Sequence, residues 1–272
     1  MEKGPILARG RTAEVYLWGN DCIIKLFYDW VPEKWITGED SLSQIISNTD
    51  IPAPVCHGIV EDGQRKGIIF QRLNGKTFLN IISKQVYFLS KYTRKMAKIH
   101  TQILSHTDVG LPSIKERLQA IISGLPNISP ALKDFCLQTL AELPEGDTIC
   151  HFDFHPDQII QTKDGDYVID WSTVCRGDVC ADIARTSYLL TMSTVGHLPW
   201  ILQIIIKIMR ANMYRIYIAQ MLKLNPMLDP SRIEKWKIPI YAMCLDKNIE
   251  EENPLILPFL EKAYSKQKSS PE

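Results

Sequence analysis

The sequence predicts an α+β protein with two lobes, a small strand-rich lobe first and a larger, mainly helical lobe after it. The chain has 272 residues, enough for one large domain or for two lobes that share a cleft. A hydrophobic fraction of 45% and a charged fraction of 23% are ordinary for a globular enzyme and exclude a mostly disordered chain. Short strand-like runs dominate the first quarter of the chain, and helical spacing dominates the rest.

Four short runs rich in Val, Ile, Tyr and Phe predict strands in the first lobe, because these residues suit a pleated sheet. The runs form two hairpins, and the stretch between them has helical spacing with Pro32 near its start. This lobe is predicted to be mainly strand with one helix, and we place it at residues 1–72. Its elements are strands at 15–18 and 22–27, a helix at 32–47, and strands at 55–60 and 66–73.

The second lobe, residues 73–272, is predicted to be mostly helical, with a compact strand-loop-strand region at 148–171. Residues 198–224 are the most apolar stretch, but Gln, Lys, Arg and Asn side chains interrupt it. A membrane span needs about 20 mostly apolar residues, so we interpret this stretch as a buried amphipathic helix. Other helices are predicted at 85–105, 113–123 and 129–143 and from Asp178 onward, and residues 266–272 are predicted to be a frayed tail.

Charge and cysteine content exclude several classes of protein. The chain has 31 basic and 31 acidic residues, so its formal charge is zero, which argues against a dedicated nucleic-acid binder. The seven cysteines form no Cys-x-x-Cys pair, which favours free thiols in a reducing compartment over a zinc site. Residues 1–10 lack the apolar core of a signal peptide. We therefore expect a cytoplasmic protein without a membrane partner.

Residues that carry chemistry are concentrated between Cys150 and Asp182. Asp153 lies between two histidines, and Gln158 follows five residues later. A hairpin predicted around 163–166 would bring Asp170 back toward Asp153 and Gln158. Two carboxylates and an amide oxygen would then converge beside a turn.

Phosphoryl transfer requires such a set of groups. Magnesium prefers hard oxygen ligands and takes one or two carboxylates beside phosphate oxygens. A separate carboxylate must orient the attacking hydroxyl and accept its proton. The spacing of Asp153, Gln158 and Asp170 matches the protein-kinase signature of a catalytic Asp, an amide ligand and a metal-binding Asp after a short hairpin.

Further motifs follow one another in a consistent order over about residues 8–190. They are Gly10-Arg11-Thr12-Ala13-Glu14-Val15-Tyr16, Ile23-Ile24-Lys25, Glu39, Phe70-Gln71-Arg72-Leu73-Asn74-Gly75, His151-x-Asp153-x-His155-Pro156, Ile169-Asp170-Trp171, Gly177-Asp178 and Asp182. Together they resemble the aminoglycoside phosphotransferase family, which is related to choline kinases and has a bilobal protein-kinase-like fold. The loop-plus-hairpin signal is strong, whereas the nucleotide loop alone is weak.

The resemblance implies a role for each motif. Asp153 would be the catalytic base, Gln158 and Asp170 would hold Mg²⁺, and Lys25, positioned by Glu39, would contact the phosphates of ATP or GTP. The remaining assignments are the nucleotide loop at Gly10, Arg11 and Thr12, the adenine edge at Gln71, Arg72 and Leu73, and support of the loop or contact with substrate by His151, His155, Asp178 and Asp182.

Two departures from the family pattern leave alternatives open. Gln158 stands where the family usually has asparagine, and its longer stem changes the position of the metal ligand. Both an active enzyme and a weak or silent nucleotide-binding protein therefore stay open. The nucleotide loop has one glycine, Gly10, where other loops have two or three.

Phe152 occupies the position of the protein-kinase arginine, which favours a small-molecule kinase over a protein kinase.

A metal-dependent hydrolase is a further alternative, because His151, Asp153 and His155 offer nitrogen and oxygen ligands for zinc. It would leave Lys25 and Glu39 unexplained. The acceptor is a small-molecule hydroxyl compound that the sequence does not identify, and neither the preferred nucleotide nor the oligomeric state can be predicted. Acidic residues at 246 and 250–252 would suit a cationic acceptor or form a solvated helix face.

Overall fold

The computed structural model describes residues 3–108, 110–126, 128–192, 199–247 and 252–269. The chain forms two compact units. The first unit comprises Met1–Val86 and Pro156–Thr173, and the second comprises Tyr87–His155 and Val174–Glu272. The chain therefore passes between the units three times, whereas the predicted lobes, 1–72 and 73–272, are joined once. The bounds of those lobes stay a prediction.

The order of the elements follows the predicted change from strands to helices. Both hairpins of the first lobe and the helix between them are confirmed, and so is the α+β class with an antiparallel sheet followed by a mainly helical region. In chain order the elements are β1 Lys3–Arg9, β2 Ala13–Trp18, β3 Cys22–Phe27, α1 Glu33–Ser47, β4 Cys56–Asp62, β5 Arg65–Gln71, β6 Gly75–Thr77, α2 Phe78–Lys84, α3 Leu89–Ile103, α4 Ile114–Gly124, α5 Pro130–Glu142, β7 Thr148–Cys150, β8 Ile159–Thr162, β9 Asp166–Val168, β10 Cys175–Gly177, α6 Val179–Thr191, α7 Trp200–Leu224, α8 Pro230–Cys244 and α9 Asn253–Ser269.

The main sheet of the first unit has five antiparallel strands in the order β1-β2-β3-β5-β4. β3 lies at its centre, and Lys25 is paired with Val15 on one side and Ile68 on the other. Two apolar clusters pack against this sheet. One of these clusters joins Phe27 of β3 to Ile36 of α1. A central strand and a packed helix give Lys25 a rigid support.

A second, three-stranded sheet in the first unit has the order β6-β8-β9. β6 and β8 approach each other closely at Gly75, where an added Cβ would lie 2.1 Å from the Gln161 carbonyl oxygen. Glycine is therefore required at this crossing. The strands β8 and β9 form the hairpin that was predicted around residues 163–166, and their antiparallel register pairs Ile159 with Val168.

The second unit is built from helices packed on one another, with a short two-stranded sheet of β7 and β10. α6 contacts both α7 and α8, and α3 contacts α7. α6 is the centre of this unit, because ten of its residues from Cys180 to Leu190 are buried. It starts at Asp178, which caps the first turn by accepting a hydrogen bond from the Cys180 N–H.

Some sequence expectations about the helical region were wrong. The apolar stretch does form a helix, α7, but its first half is exposed rather than buried: Trp200 is 70% exposed and Ile208 65%. Residues up to Ser269 belong to α9 and are not a frayed tail, while the last three lie outside the described residues. The strands β1 and β10 were not predicted. None of the helices described here combines the length and apolar character that crossing a membrane requires.

Candidate active site

The predicted nucleotide loop forms a tight turn between β1 and β2. The Gly10 N–H donates to the Ala13 carbonyl at 2.8 Å, which closes the turn around Arg11 and Thr12. The Tyr28 N–H donates to the Thr12 carbonyl at 3.0 Å, so the turn is also tied to the residue that follows β3. Arg11 is exposed at its tip.

Lys25 is held between two carboxylates within the first unit. Its Nζ lies 2.6 Å from Glu39 Oε1 and 3.3 Å from Asp170 Oδ1. The side chains of Lys25 and Glu39 are 20% and 10% exposed, so the pair is largely shielded from solvent. The structure brings these three predicted residues together, although Asp170 is 145 residues from Lys25 in the sequence.

Burial and charge act in opposite directions on the ionisation of this cluster. Burial alone would lower the pKa of Lys25, but Asp170 and Glu39 outweigh it, and the pKa of the ammonium group is raised. Burial raises the pKa of Glu39 by more than Lys25 lowers it. Lys25 therefore stays charged at neutral pH.

The hairpin β8–β9 places Gln158 beside the residue that precedes Asp170. The Ile169 N–H donates to the Gln158 carbonyl at 2.9 Å. Asp170 has a φ of 62°, in the left-handed region that few non-glycine residues occupy. Its Oδ1 also accepts from Ser172 Oγ at 2.9 Å. Strained backbone of this kind is concentrated at functional sites, where neighbouring contacts hold it.

The donor set of this hairpin suits magnesium. Asp170 offers a carboxylate and Gln158 an amide oxygen, and both are the hard oxygen donors that Mg²⁺ takes beside the phosphates of its nucleotide. Among the described residues, no group of three or more His, Cys, Asp and Glu side chains could hold a metal ion by itself.

The linker after β5 already uses two of its N–H groups. The Gln71 N–H donates to the Val55 carbonyl and the Arg72 N–H to the Asp21 carbonyl, each at 2.8 Å. These two donors are therefore engaged inside the first unit. Recognition of an adenine edge would have to use the carbonyls of this segment or Leu73.

The predicted catalytic loop belongs to the second unit, where a buried carboxylate holds its backbone. Asp182 accepts from the His151 N–H at 2.7 Å and from the Phe152 N–H at 3.0 Å. Phe152 has a φ of 64°, a rare conformation for an aromatic residue. The His151 ring is fully buried, and its Nδ1 accepts from the Asp153 N–H at 3.2 Å. The loop is thus fixed on both sides of Phe152.

Asp182 is itself part of a buried chain of polar groups. His100 Nε2 lies 3.1 Å from its Oδ2, and His100 Nδ1 lies 2.6 Å from the Tyr217 hydroxyl. Burial alone would raise the pKa of Asp182, but His100, His151 and the Phe152 N–H outweigh it, and the pKa is lowered. The carboxylate therefore stays ionised and keeps its two backbone donors.

Asp153 is half-buried, and its carboxylate lies near two cationic or titratable groups of the second unit. His155 Nε2 is 3.8 Å from Asp153 Oδ2, and Arg185 Nη2 is 3.5 Å from Asp153 Oδ1. Asp178, besides capping α6, accepts from Trp236 Nε1 at 2.7 Å, and it lies 3.2 Å from Arg232 Nε. Because Asp153 belongs to the second unit, its predicted convergence with Asp170 and Gln158 stays a prediction.

Arg185 was missed in the sequence. It is one turn after Asp182 on α6 and only 4% exposed. A signal was present: Asp182 and Arg185 are three residues apart in a helix whose other residues are mostly small or apolar, so both charges fall on one buried face. Without the fold, nothing in the sequence connects that face to residues 151–154.

Comparison with known proteins agrees with the fold. Three solved structures have the same fold. An aminoglycoside-3'-phosphotransferase of type VIII is similar over 89% of this chain and 93% of its own, with a TM-score of 0.60 and 10% identity. A choline/ethanolamine kinase family protein from Mesorhizobium loti is similar over 98% of this chain and 89% of its own, with a TM-score of 0.54 and 12% identity. The aminoglycoside phosphotransferase APH(3'')-Id from Streptomyces rimosus, in complex with ADP and streptomycin, is similar over 85% of this chain and 90% of its own. Its TM-score is 0.55 and its identity is 15%.

Residues 32–198 match the sequence profile of the phosphotransferase enzyme family, which is more than half of the chain. The fold and the family together define the class: the protein is a phosphotransferase with a kinase-like fold, as predicted. The chain belongs to the phosphotransferase enzyme family, and the resemblance to aminoglycoside phosphotransferases is confirmed. A search of curated proteins gave no significant match. The hydrolase alternative is not supported.

Proposed function

We propose that the protein transfers the γ-phosphoryl group of ATP or GTP to a hydroxyl group of a small molecule, with Asp153 as the catalytic base. The observation that carries this proposal is the cluster of Lys25, Glu39 and Asp170, with distances of 2.6 and 3.3 Å from the ammonium nitrogen. A charged lysine fixed between two carboxylates is suited to phosphate contact. We also retain the prediction that the protein is cytoplasmic.

In the proposed reaction Asp153 accepts the proton of the acceptor hydroxyl group. The acceptor oxygen forms a bond to the γ-phosphorus, the bond from that phosphorus to the bridging oxygen breaks, and its electron pair leaves with the nucleoside diphosphate. Lys25 would neutralise charge on the phosphates, and Glu39 would hold the lysine in place. The protein's contribution is mainly positioning and electrostatic stabilisation.

Asp170 and Gln158 are the residues that would hold magnesium. When bound, the ion supplies positive charge beside the phosphate oxygens. Asp170 is prepared for such a role by its left-handed backbone and by Ser172, which restrict where its carboxylate points. Gln158 is joined to the same hairpin through its carbonyl.

The acceptor is best sought among the compounds that similar folds bind. The structure from Streptomyces rimosus holds ADP and streptomycin, and a second similar structure is named for choline or ethanolamine. Two of the acidic residues that would suit a cationic acceptor, Glu250 and Glu251, lie outside the described residues. Glu252 is buried and accepts from the Tyr188 hydroxyl, so it is not a solvated charge.

A nucleotide-consumption assay over a panel of alcohols tests this function. The panel contains aminoglycosides, macrolides, choline-like amines, sugars and nucleosides, each with ATP and with GTP in the presence of Mg²⁺. We expect at least one acceptor to accelerate nucleotide consumption and to gain one phosphate by mass spectrometry. A silent nucleotide-binding protein, the alternative that Gln158 leaves open, would instead gain thermal stability from nucleotide without any transfer.

Substitution of Asp153 tests the base. Asp153→Ala should lower turnover with the best acceptor by about 10²-fold to 10⁴-fold, because general-base catalysis contributes about that much. Nucleotide binding, measured by calorimetry, should change little. Asp147→Ala is a matched control, since that carboxylate also pairs with an arginine but lies 53% exposed. The proposal is falsified if Asp153→Ala retains near-normal turnover.

A further inference from the structure

The guanidinium group of Arg185 lies at the point where α6 meets the predicted catalytic loop. Its side chain is 5% exposed, and its Nη2 is 3.5 Å from Asp153 Oδ1. Transferring an arginine into the protein interior is costly unless an anion and hydrogen bonds compensate its charge. The Asp153 carboxylate supplies such an anion, so the two charges depend on each other.

The other nitrogens of the guanidinium group fix its orientation. Nε donates to the Phe152 carbonyl at 3.1 Å, and Nη1 lies 3.2 Å from Cys244 Sγ on α8. The ring of Tyr188 lies 5.2 Å from the guanidinium carbon, within cation–π distance. An arginine held at each nitrogen presents a rigid fork, which a lysine with one rotatable ammonium group cannot reproduce.

One face of α6 contacts every residue of the loop from His151 to Phe154. Asp182 accepts from the first two backbone N–H groups, and Arg185 donates to the Phe152 carbonyl. The Thr186 hydroxyl donates to the Phe154 carbonyl at 3.2 Å. Positions 182, 185 and 186 lie on one side of a helix. Arg185 adds the contact that reaches a side chain, that of Asp153.

We propose that Arg185 is a positioning residue for Asp153. Arg185 holds the Asp153 carboxylate in the orientation in which this group accepts the proton. It also keeps Phe152 in the left-handed conformation that orients the loop. The inference rests on the proposed function, because it requires Asp153 to be the base. Phe152 occupies the position where protein kinases carry an arginine, and here a buried arginine comes from α6 instead.

A double-mutant cycle tests the inference on the full-length protein. The four proteins are wild type, Arg185→Met, Asp153→Asn and the double variant, and the assay is ADP release from MgATP with water as the acceptor. Arg185→Met should lower kcat by about tenfold to hundredfold, as expected for a misplaced catalytic group, with the KM for ATP changed by less than about twofold. In the Asp153→Asn background the same substitution should change the rate by less than about twofold.

Two further variants separate positioning from general stability. Arg185→Lys keeps the charge without the fork and should recover part of the lost kcat. Arg176→Met is the matched control, because Arg176 is also paired with a carboxylate in the second unit, Asp147 at 3.1 Å, and should leave kcat within about twofold. A purely structural role would lower the melting temperature and alter kcat and KM together, without recovery by lysine.

The outcomes distinguish this inference from the proposed function. If Asp153→Asn keeps the wild-type rate, the proposed function is wrong. If Asp153→Asn is inactive but Arg185→Met is as fast as wild type, or if Arg185→Met costs the same in both backgrounds, the positioning role is wrong. Should hydrolysis by Asp153→Asn fall to the buffer rate, the Arg185 variants decide. A loss of kcat at unchanged KM in Arg185→Met, with partial recovery in Arg185→Lys, supports positioning, and a change in both kcat and KM without recovery overturns it.

Discussion

Gln158 determines how well the predicted metal site can work. Its amide oxygen is the donor that magnesium prefers, but its stem is one methylene longer than that of the asparagine that the resemblance leads one to expect. The Gln158 backbone is fixed by the hydrogen bond from Ile169, so the additional length must be taken up by the side chain. Magnesium demands a near-octahedral arrangement and tolerates displaced ligands poorly.

Shortening this side chain should therefore improve the metal site. We expect Gln158→Asn to lower the Mg²⁺ concentration that gives half-maximal turnover, by about tenfold, because the amide oxygen then lies at the position typical of the family. A magnesium titration of nucleotide consumption measures the change. Gln161→Asn makes the same chemical change on β8 and should have little effect. A higher Mg²⁺ requirement in Gln158→Asn would show that the glutamine is adapted to its site.

Asp182 is the residue whose ionisation matters most for the loop. Its pKa is lowered below its ordinary value of 3.8. A carboxyl group with a lowered pKa in the folded state stabilises the protein above its unfolded pKa, and this stabilisation is lost as the pH falls through the folded pKa. The contribution is therefore complete at neutral pH and disappears in acid.

The lowered pKa of Asp182 gives a prediction for the stability of Asp182→Asn. At pH 7 the variant should lose about 3–5 kcal/mol of unfolding free energy, because it breaks a buried charged network. Between about pH 5 and pH 2 its stability should fall less steeply than that of the wild type. Urea unfolding at a series of pH values measures both effects. Asp164→Asn, at the exposed tip of the β8–β9 hairpin, is the control and should follow the wild-type curve. Parallel curves for Asp182→Asn and wild type would contradict the assignment.

At the scale of elements, the two halves of α7 differ in their burial. Its second half is built into the second unit, where Tyr217 and Met221 are fully buried. Its first half carries large apolar side chains that remain exposed: Trp200, Ile201, Leu202, Ile204, Ile205 and Ile208. Because apolar residues occur all around this half, the sequence pattern did not distinguish a buried from an exposed helix.

Substitutions along α7 should show this division. Ile208→Gln should change the unfolding free energy by no more than about 0.5 kcal/mol, since Ile208 is 65% exposed. Met213→Gln should cost about 2–4 kcal/mol, since Met213 is 5% exposed and a buried amide would need new partners. Urea unfolding of both variants makes the comparison within one helix. Equal losses would mean that the first half is covered in solution.

For the whole molecule, nucleotide binding should appear as a gain in stability. A ligand that binds the folded state at about 100 times its Kd stabilises it by about 2.7 kcal/mol. We therefore expect saturating MgATP to raise the melting temperature by about 5 °C. Lys25→Met should abolish the rise, because the proposed contact of Lys25 with the phosphates would be lost, whereas Asp153→Asn should retain it.

Lys66→Met controls for the loss of a lysine from the same sheet. Lys66 lies on β5 and is paired with Glu33. Because this pair is outside the Lys25 cluster, the variant should keep the full MgATP effect in differential scanning fluorimetry. A Lys25→Met protein that is still stabilised by MgATP as much as wild type would contradict the assigned role of Lys25.

The spacing of residues along the chain was sufficient to predict several local elements and one contact of the candidate site. The β8–β9 hairpin, the helix at 32–47 and the pairing of Lys25 with Glu39 follow from turn residues, apolar periodicity and family motifs, which are properties of short segments. Packing, in contrast, decided three matters. It placed Arg185 beside Asp153, grouped Pro156–Thr173 with the first unit and left the first half of α7 exposed. Each of these depends on contacts between residues that are distant in the chain, and such contacts leave no periodic trace in the sequence.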